Sequence, residues 1–176
     1  EKEFSVERSL RIARYKSGKY TIERPLHLGA VIASPTQSEH GQLLNVLSAY
    51  GLPLGEAFQL RDDLLGIFGD PTITGKPAGD DLREGKRTVL MAMTLEKAGA
   101  SARRELQRDL GNPTLTVQRI EELRTIITET GAVAEVEKLI EGLAAESKIA
   151  AQSSAIAADA KPFLLALADS AIRRSY

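Results

Sequence analysis

Leucine, alanine, glutamate and arginine recur at helical spacing along almost the whole chain, and alternating runs of β-branched residues are nearly absent. Alanine and the straight-chain residues lose little freedom on entering a helix, and apolar positions three and four apart give each helix one side to bury. The pattern predicts an all-α fold. All 176 residues are assigned to a single domain with its own hydrophobic core.

Along that pattern, Ser5 is placed to cap a helix carrying Val6, Leu10 and Ala13, which ends near Tyr15 with Ser17-Gly18 as the break after it. A second run covers Arg24 to Ala33, with Pro25 in its first turn. A long helical pattern from about Gln37 to Phe68 follows, which Gly51 and Pro53 should kink or divide. From Gly69 to Gly85 the composition is that of a loop, and a long one for a mere connection. Arg87 to Ala98 returns to helix with Leu90, Met91, Thr94 and Leu95 facing inward. Leu115 and Ile120 flank Thr116 at the spacing of a hydrophobic staple, so a helix is expected from Thr116 to Thr130, with Gly131 closing it. Val133, Val136, Leu139, Ile140 and Leu143 mark another, and Lys161 to Arg174 the last.

Composition removes several classes of function. The net charge is -1, and without a basic excess the electrostatic footprint of a nucleic-acid binder is missing. There is no cysteine, hence neither a disulfide framework nor a thiolate metal site, which suits a cytoplasmic protein. The longest weakly polar region, Ile149 to Ile172, is interrupted by Gln152, Asp159, Lys161, Pro162 and Asp169, so no membrane span is expected. The chain opens at Glu1, without Met, inside a helical pattern. We expect it to be part of a longer polypeptide. His27 and His40 have no metal-ligand spacing and are assigned no role.

The chemistry concentrates in Phe58 to Thr88, FQLRDDLLGIFGDPTITGKPAGDDLREGKRT. On a helix, Gln59, Asp62, Asp63, Gly66 and Asp70 fall within roughly a third of the circumference, and the remainder is mostly apolar apart from Arg61. Such a helix should be buried with its acids lining a cavity. Two adjacent carboxylates in an apolar setting need cations, and magnesium, an oxygen-seeking ion that keeps waters, suits Asp62 and Asp63. The same pair, taken alone, also fits a solvated face or a pairing with arginine. Lys76 and Lys86 each follow a glycine in a loop that also holds Asp80 and Asp81. The spacing is not that of a Walker loop, and in isolation this stretch reads as a solvated turn. Acids and lysines together point to a site for magnesium and diphosphate.

Three segments in order carry a resemblance to a known family: YKSGKY at Tyr15 to Tyr20, FQLRDD at Phe58 to Asp63, and TGKPAGDDLREGKRT at Thr74 to Thr88. They resemble the KT/KS segment, the second aspartate-rich motif and the lysine-bearing loop of the trans-isoprenyl diphosphate synthases, or polyprenyl synthetases. The wording DDLLGIFGD is most like that of bacterial geranylgeranyl diphosphate synthases. The resemblance implies the C-terminal portion of an isoprenoid-synthase-type helical bundle, acting as a homodimer on isopentenyl diphosphate and an allylic prenyl diphosphate with Mg2+ as cofactor. It implies that Lys16, Lys76 and Lys86 hold the allylic diphosphate, that Asp62 binds magnesium directly with Asp63 in support, and that the Gln59 oxygen and the Ser17 hydroxyl face positive charge.

Two features depart from the family pattern. The third acid of the usual DDxxD motif is replaced by Gly66, which leaves water or Asp70 to complete a metal shell. Nothing before Lys16 can supply the first aspartate-rich motif, which the family carries well upstream, so the N-terminal half is expected to be required. Product length, and the choice among geranyl, farnesyl, geranylgeranyl and polyprenyl products, stays open. A non-catalytic subunit that stabilises a catalytic partner is the alternative reading.

Overall fold

The structure is a computed structural model that describes residues 4–33, 40–75, 77 and 79–173. Among these the chain is helical, with no strand: α1 (Val6–Ala13), a π-helical segment π1 (Arg14–Glu23), α2 (Arg24–Ala33), α3 (His40–Phe68), α4 (Pro71–Thr74), α5 (Asp80–Glu84), α6 (Val89–Lys97), α7 (Ala100–Asp109), α8 (Val117–Glu129), α9 (Ala132–Ala151) and α10 (Lys161–Ile172). The all-α expectation is met.

Several local expectations hold for the reasons given. The Ser5 hydroxyl accepts the Arg8 amide at 3.2 Å and caps α1. Thr116 accepts the Arg119 amide and caps α8, with Leu115 and Ile120 both buried as a staple requires. Thr88 does the same for α6, accepting the Met91 amide, so this helix starts two residues later than Arg87. Leu90, Met91 and Thr94 are buried as expected, while Leu95 is only half-buried.

Other expectations are corrected. α1 ends at Ala13, close to the expected Tyr15, but no break follows at Ser17-Gly18. The chain widens into π1 and runs on into α2 with helical backbone throughout. The amide of Arg24 bonds the carbonyl of Lys19, five residues back, which absorbs an extra residue per turn without interrupting the helix. Tertiary packing stabilises this turn. A Cβ on Gly55 would run into Gly18 and the Ser17 carbonyl, so the two backbones touch where a side chain on either would separate them. Helix α3 passes through Pro53 undivided. Gly69 to Gly85 is not plain loop, since it contains α4 and α5. Helix α7, whose only large apolar residue is Leu106, adds an element that the apolar pattern did not mark.

The chain divides into two compact units, one built on Leu60–Lys138 with the residues before Arg11, the other on Arg11–Gln59 and Leu139–Arg174. In the first, Leu60, Leu64 and Ile67 of α3, Leu82 of α5, Val89 to Ala92 of α6 and Ile120, Leu123 and Ile127 of α8 are almost wholly removed from water. Burial of such side chains contributes about 1.5–3 kcal/mol each. Asp109 at the end of α7 accepts from both Arg108 and Arg119, and Arg119 also reaches Glu105 and Glu122. The Arg108 hydrogen bond, joined by Arg119, holds the Asp109 carboxyl down to about 2.

In the second unit Tyr50, Leu54, Ala151 and Ala168 form a core against which Ile22, Leu26, Leu164 and Leu165 pack. The Tyr50 hydroxyl donates to the Leu164 carbonyl at 2.8 Å, which satisfies the polar end of a buried ring, and burial pushes the phenol up to about 12. His27 is half-buried, with Nε2 within bonding distance of the Leu44 carbonyl and the Ser48 hydroxyl. Among the described residues no helix is long and apolar enough to cross a membrane.

Candidate functional site

Lys16 and Ser17 sit in π1, in the second unit. The wide turn sends the two side chains different ways: Lys16 is exposed and Ser17 is buried. The Ser17 hydroxyl donates to the Gln59 side-chain oxygen at 2.7 Å. Gln59 is also buried. The close approach of Gly18 to Gly55, one turn before Gln59, lets the two helices come near enough for this bond.

Three residues further along α3 and in the first unit, Asp62 is half-buried and Asp63 buried. The apolar positions around them, Leu60, Leu64 and Ile67, are fully covered, as the sequence pattern requires of a buried helix. Arg61, the exception in that pattern, forms a bidentate pair with Glu137 of α9, so its charge is matched rather than exposed. The helix end is closed from α8. Arg124 donates through Nε to the Ile67 carbonyl at 2.7 Å, and its guanidinium lies 6.0 Å from the centre of the Phe68 ring. These contacts hold the segment that carries the acids.

Asp70 is corrected. α3 ends at Phe68, so Asp70 does not continue its carboxylate face. It caps α4 instead, accepting from the Thr72 amide and hydroxyl through one oxygen, and those bonds hold its carboxyl below the usual range.

The acid that the sequence reading passed over is Asp81. A Cβ at Gly66 would fall inside the Asp81 carboxylate, so the side chain of Asp81 fills the space that the missing third acid would use. Position 66 lies three and four residues after Asp63 and Asp62, the spacing at which helix side chains are neighbours. The signal was present as Gly66 together with an acid in the following loop. Only the fold of that loop into α5 brings them together.

Lys86 follows α5 and turns back on it. Its ammonium is 2.5 Å from Asp81 Oδ1 and 2.8 Å from Glu84 Oε2. Burial opposes the charge on Lys86, but the bonds to Asp81 and Glu84 outweigh it and raise the pKa of the ammonium. Lys76, the remaining lysine of the expected set, lies outside the described residues. A cleft of about 560 Å3 in the second unit, lined by Arg14, Leu52, Pro53, Glu56 and Leu143 among others, involves none of the expected site residues. Arg14 and Glu56 pair there at 2.8 Å.

The donor set fits magnesium. It is all carboxylate oxygen, and no cluster of three or more acids or histidines placed to enclose a metal occurs among the described residues. Magnesium is ordinarily held by one or two carboxylates, with waters and phosphate oxygens completing the octahedron. Asp62 and Asp63 would provide that much, with the Asp81 side chain packed against Gly66 one turn further along α3.

Comparison with known proteins adds to this geometry. The family model described as polyprenyl synthetase matches residues 1–127. The chain is 38% identical over 124 residues to a geranylfarnesyl diphosphate synthase of Aeropyrum pernix, covering 70% of this chain and 36% of that protein. A geranylgeranyl pyrophosphate synthase of Corynebacterium glutamicum, solved with isoprenyl diphosphate and magnesium, superposes with a TM-score of 0.90 at 42% identity over 98% of this chain and 48% of its own. A polyprenyl synthase of Caulobacter crescentus, solved with calcium and isoprenyl diphosphate, gives 0.82 at 28% identity over 99% and 52%. The chain thus spans about half the length of these solved chains and about a third of the curated relative.

Proposed function

The chain belongs to the polyprenyl synthetase family, and on that premise we propose that it is part of a magnesium-dependent prenyltransferase, most like a geranylgeranyl diphosphate synthase. The reaction would break the C–O bond of an allylic diphosphate, with the bonding pair leaving on diphosphate. The double bond of isopentenyl diphosphate then attacks the carbocation, and loss of a proton yields the longer trans-prenyl diphosphate. The observation that carries the reading is the run of carboxylates from Asp62 and Asp63 to Asp81 at Gly66, with the Lys86 ammonium held on Asp81.

The chemical difficulty is the departure of diphosphate. Asp62 and Asp63 would hold magnesium, whose charge when bound stabilises the oxygens that gain negative charge. Lys16, Lys76 and Lys86 would bind those oxygens directly. Ser17 orients the Gln59 amide through its 2.7 Å bond, so that the side-chain oxygen would face positive charge near the reacting carbon. Homodimer formation, a cytoplasmic location and a requirement for an N-terminal half belong to the same reading.

A non-catalytic subunit of a prenyl synthase is the second reading. A condensation assay with isopentenyl diphosphate, magnesium and a set of allylic diphosphates separates the two and reports product length. Product from this chain, or from this chain supplemented with the N-terminal half of a relative, supports the enzyme. Failure in both, alongside stimulation of an intact synthase, supports the subunit.

A further inference from the structure

Lys86 is placed by backbone geometry before any ligand is considered. Gly85 takes the left-handed conformation with φ +68, the Gly85 amide bonds the Leu82 carbonyl, and the Lys86 amide bonds the Asp81 carbonyl. This pair of bonds is the Schellman closure of a helix. A Cβ on Gly85 would press on Gly111, whose own amide bonds the Leu82 carbonyl. The base of the Lys86 side chain is therefore fixed, and only its ammonium has a choice of partners.

The two carboxylates that hold this ammonium differ in what they can do on release. The Asp81 side chain is 5% exposed and that of Glu84 is 52% exposed. Separating Asp81 from Lys86 would leave a carboxylate without water to solvate it, at high cost. Glu84 gives up less than Asp81 by turning away, because water can receive its half-exposed carboxylate. It also lines an open cleft of about 900 Å3 that contains Arg87 and Arg103. Arg87 is steadied there by the Phe4 ring and by the Ser9 hydroxyl on its carbonyl.

From this asymmetry we propose that Glu84 is a positioning residue that occupies the diphosphate-facing side of Lys86 until a diphosphate oxygen displaces it, and re-forms the pair as diphosphate leaves. Lys86 then keeps two anionic partners in both states: Asp81 with Glu84, or Asp81 with the ligand. Glu84 thereby weakens diphosphate binding and eases release. The inference rests on the proposed diphosphate role of Lys86.

The test is calorimetric binding of inorganic diphosphate in magnesium to the whole chain, with the variants Glu84→Gln, Lys86→Gln and both together, each shown by circular dichroism to be folded at the temperature of the titration. Glu84→Gln should tighten binding about threefold at low salt, with the gain fading near 1 M salt, where charges are screened within about 3 Å. In the Lys86→Gln background the gain should vanish. An equal gain in both backgrounds would mean that Glu84 acts only as one more negative charge, and no gain in either would mean that it does not compete with diphosphate; each overturns the inference while leaving the proposed function standing. Absence of magnesium-dependent diphosphate binding even when the unaltered chain is supplemented with the N-terminal half of a relative would overturn both.

Discussion

Two lysines that the sequence assigns to one task are kept ready in opposite ways. Lys16 is exposed on a π-helical turn, and among the described residues no carboxylate pairs with it. Its position is a matter of backbone, because the wide turn aims it outward while Ser17 beside it is fastened to Gln59. Lys86 is held by two carboxylates at the end of a short capped helix. One cation is presented and the other is restrained. A presented cation attracts an anion with no bond to break, whereas a restrained one is prealigned and must exchange partners. The first arrangement favours capture and the second favours alignment and release.

The comparison can be broken in order of size. Replacing Asp62 by Ala removes the proposed metal carboxylate outright, and a magnesium-dependent turnover should fall by about 1,000-fold, the scale of losing a preorganised electrostatic contact. Condensation kinetics of the assembled enzyme measure this, and near-normal turnover would remove Asp62 from the site. Next in size is the contrast between the lysines themselves. Lys86→Ala takes the ammonium from the buried Asp81 carboxylate and should cost about 1–3 kcal/mol of stability, while Lys16→Ala should leave the melting temperature within error and weaken only diphosphate binding. Equal melting losses in urea or heat would erase the distinction between a presented and a restrained cation.

A third change sharpens the restrained side. Gly66→Ala improves intrinsic helix propensity yet pushes a methyl into the Asp81 carboxylate. We expect a net loss of about 1 kcal/mol together with weaker diphosphate binding; a stabilised protein with unchanged binding would show that Asp81 can move aside freely. The smallest effect is a pH control on a network without a proposed role. Asp109 titrates near 2 because Arg108 and Arg119 bond its charged form, so its contribution to stability is complete above the ordinary aspartate range and is lost as pH falls through 4 toward 2. Chemical denaturation of Asp109→Asn and the unaltered chain should differ at pH 6 and converge at pH 2.

Legibility from sequence follows the range of the interactions concerned. Caps and staples at Ser5 and at Leu115, Thr116 and Ile120 were readable because their partners lie within five residues. The buried α3 was readable because apolar positions around Asp62 and Asp63 repeat along one helix. Ser17-Gly18 misled, since a serine and a glycine weaken a helix locally and nothing nearby announces that Gly55 will pack on Gly18. Asp70 misled for the opposite reason: helical periodicity extrapolated past Phe68, where Pro71 starts a new helix and Asp70 becomes its cap. Asp81 was visible but unassigned, fifteen residues from the glycine whose space it fills.

The sequence by itself determined the helical class, most helix starts and the acids and lysines of the three motifs, because these depend on residue type and short spacing. Tertiary structure alone decided that π1 would stay helical, that Asp81 would stand in at Gly66, and that Lys86 would rest between Asp81 and Glu84. Those outcomes depend on which backbones can approach closely and which carboxylates lose their water, and neither is set until the helices have packed.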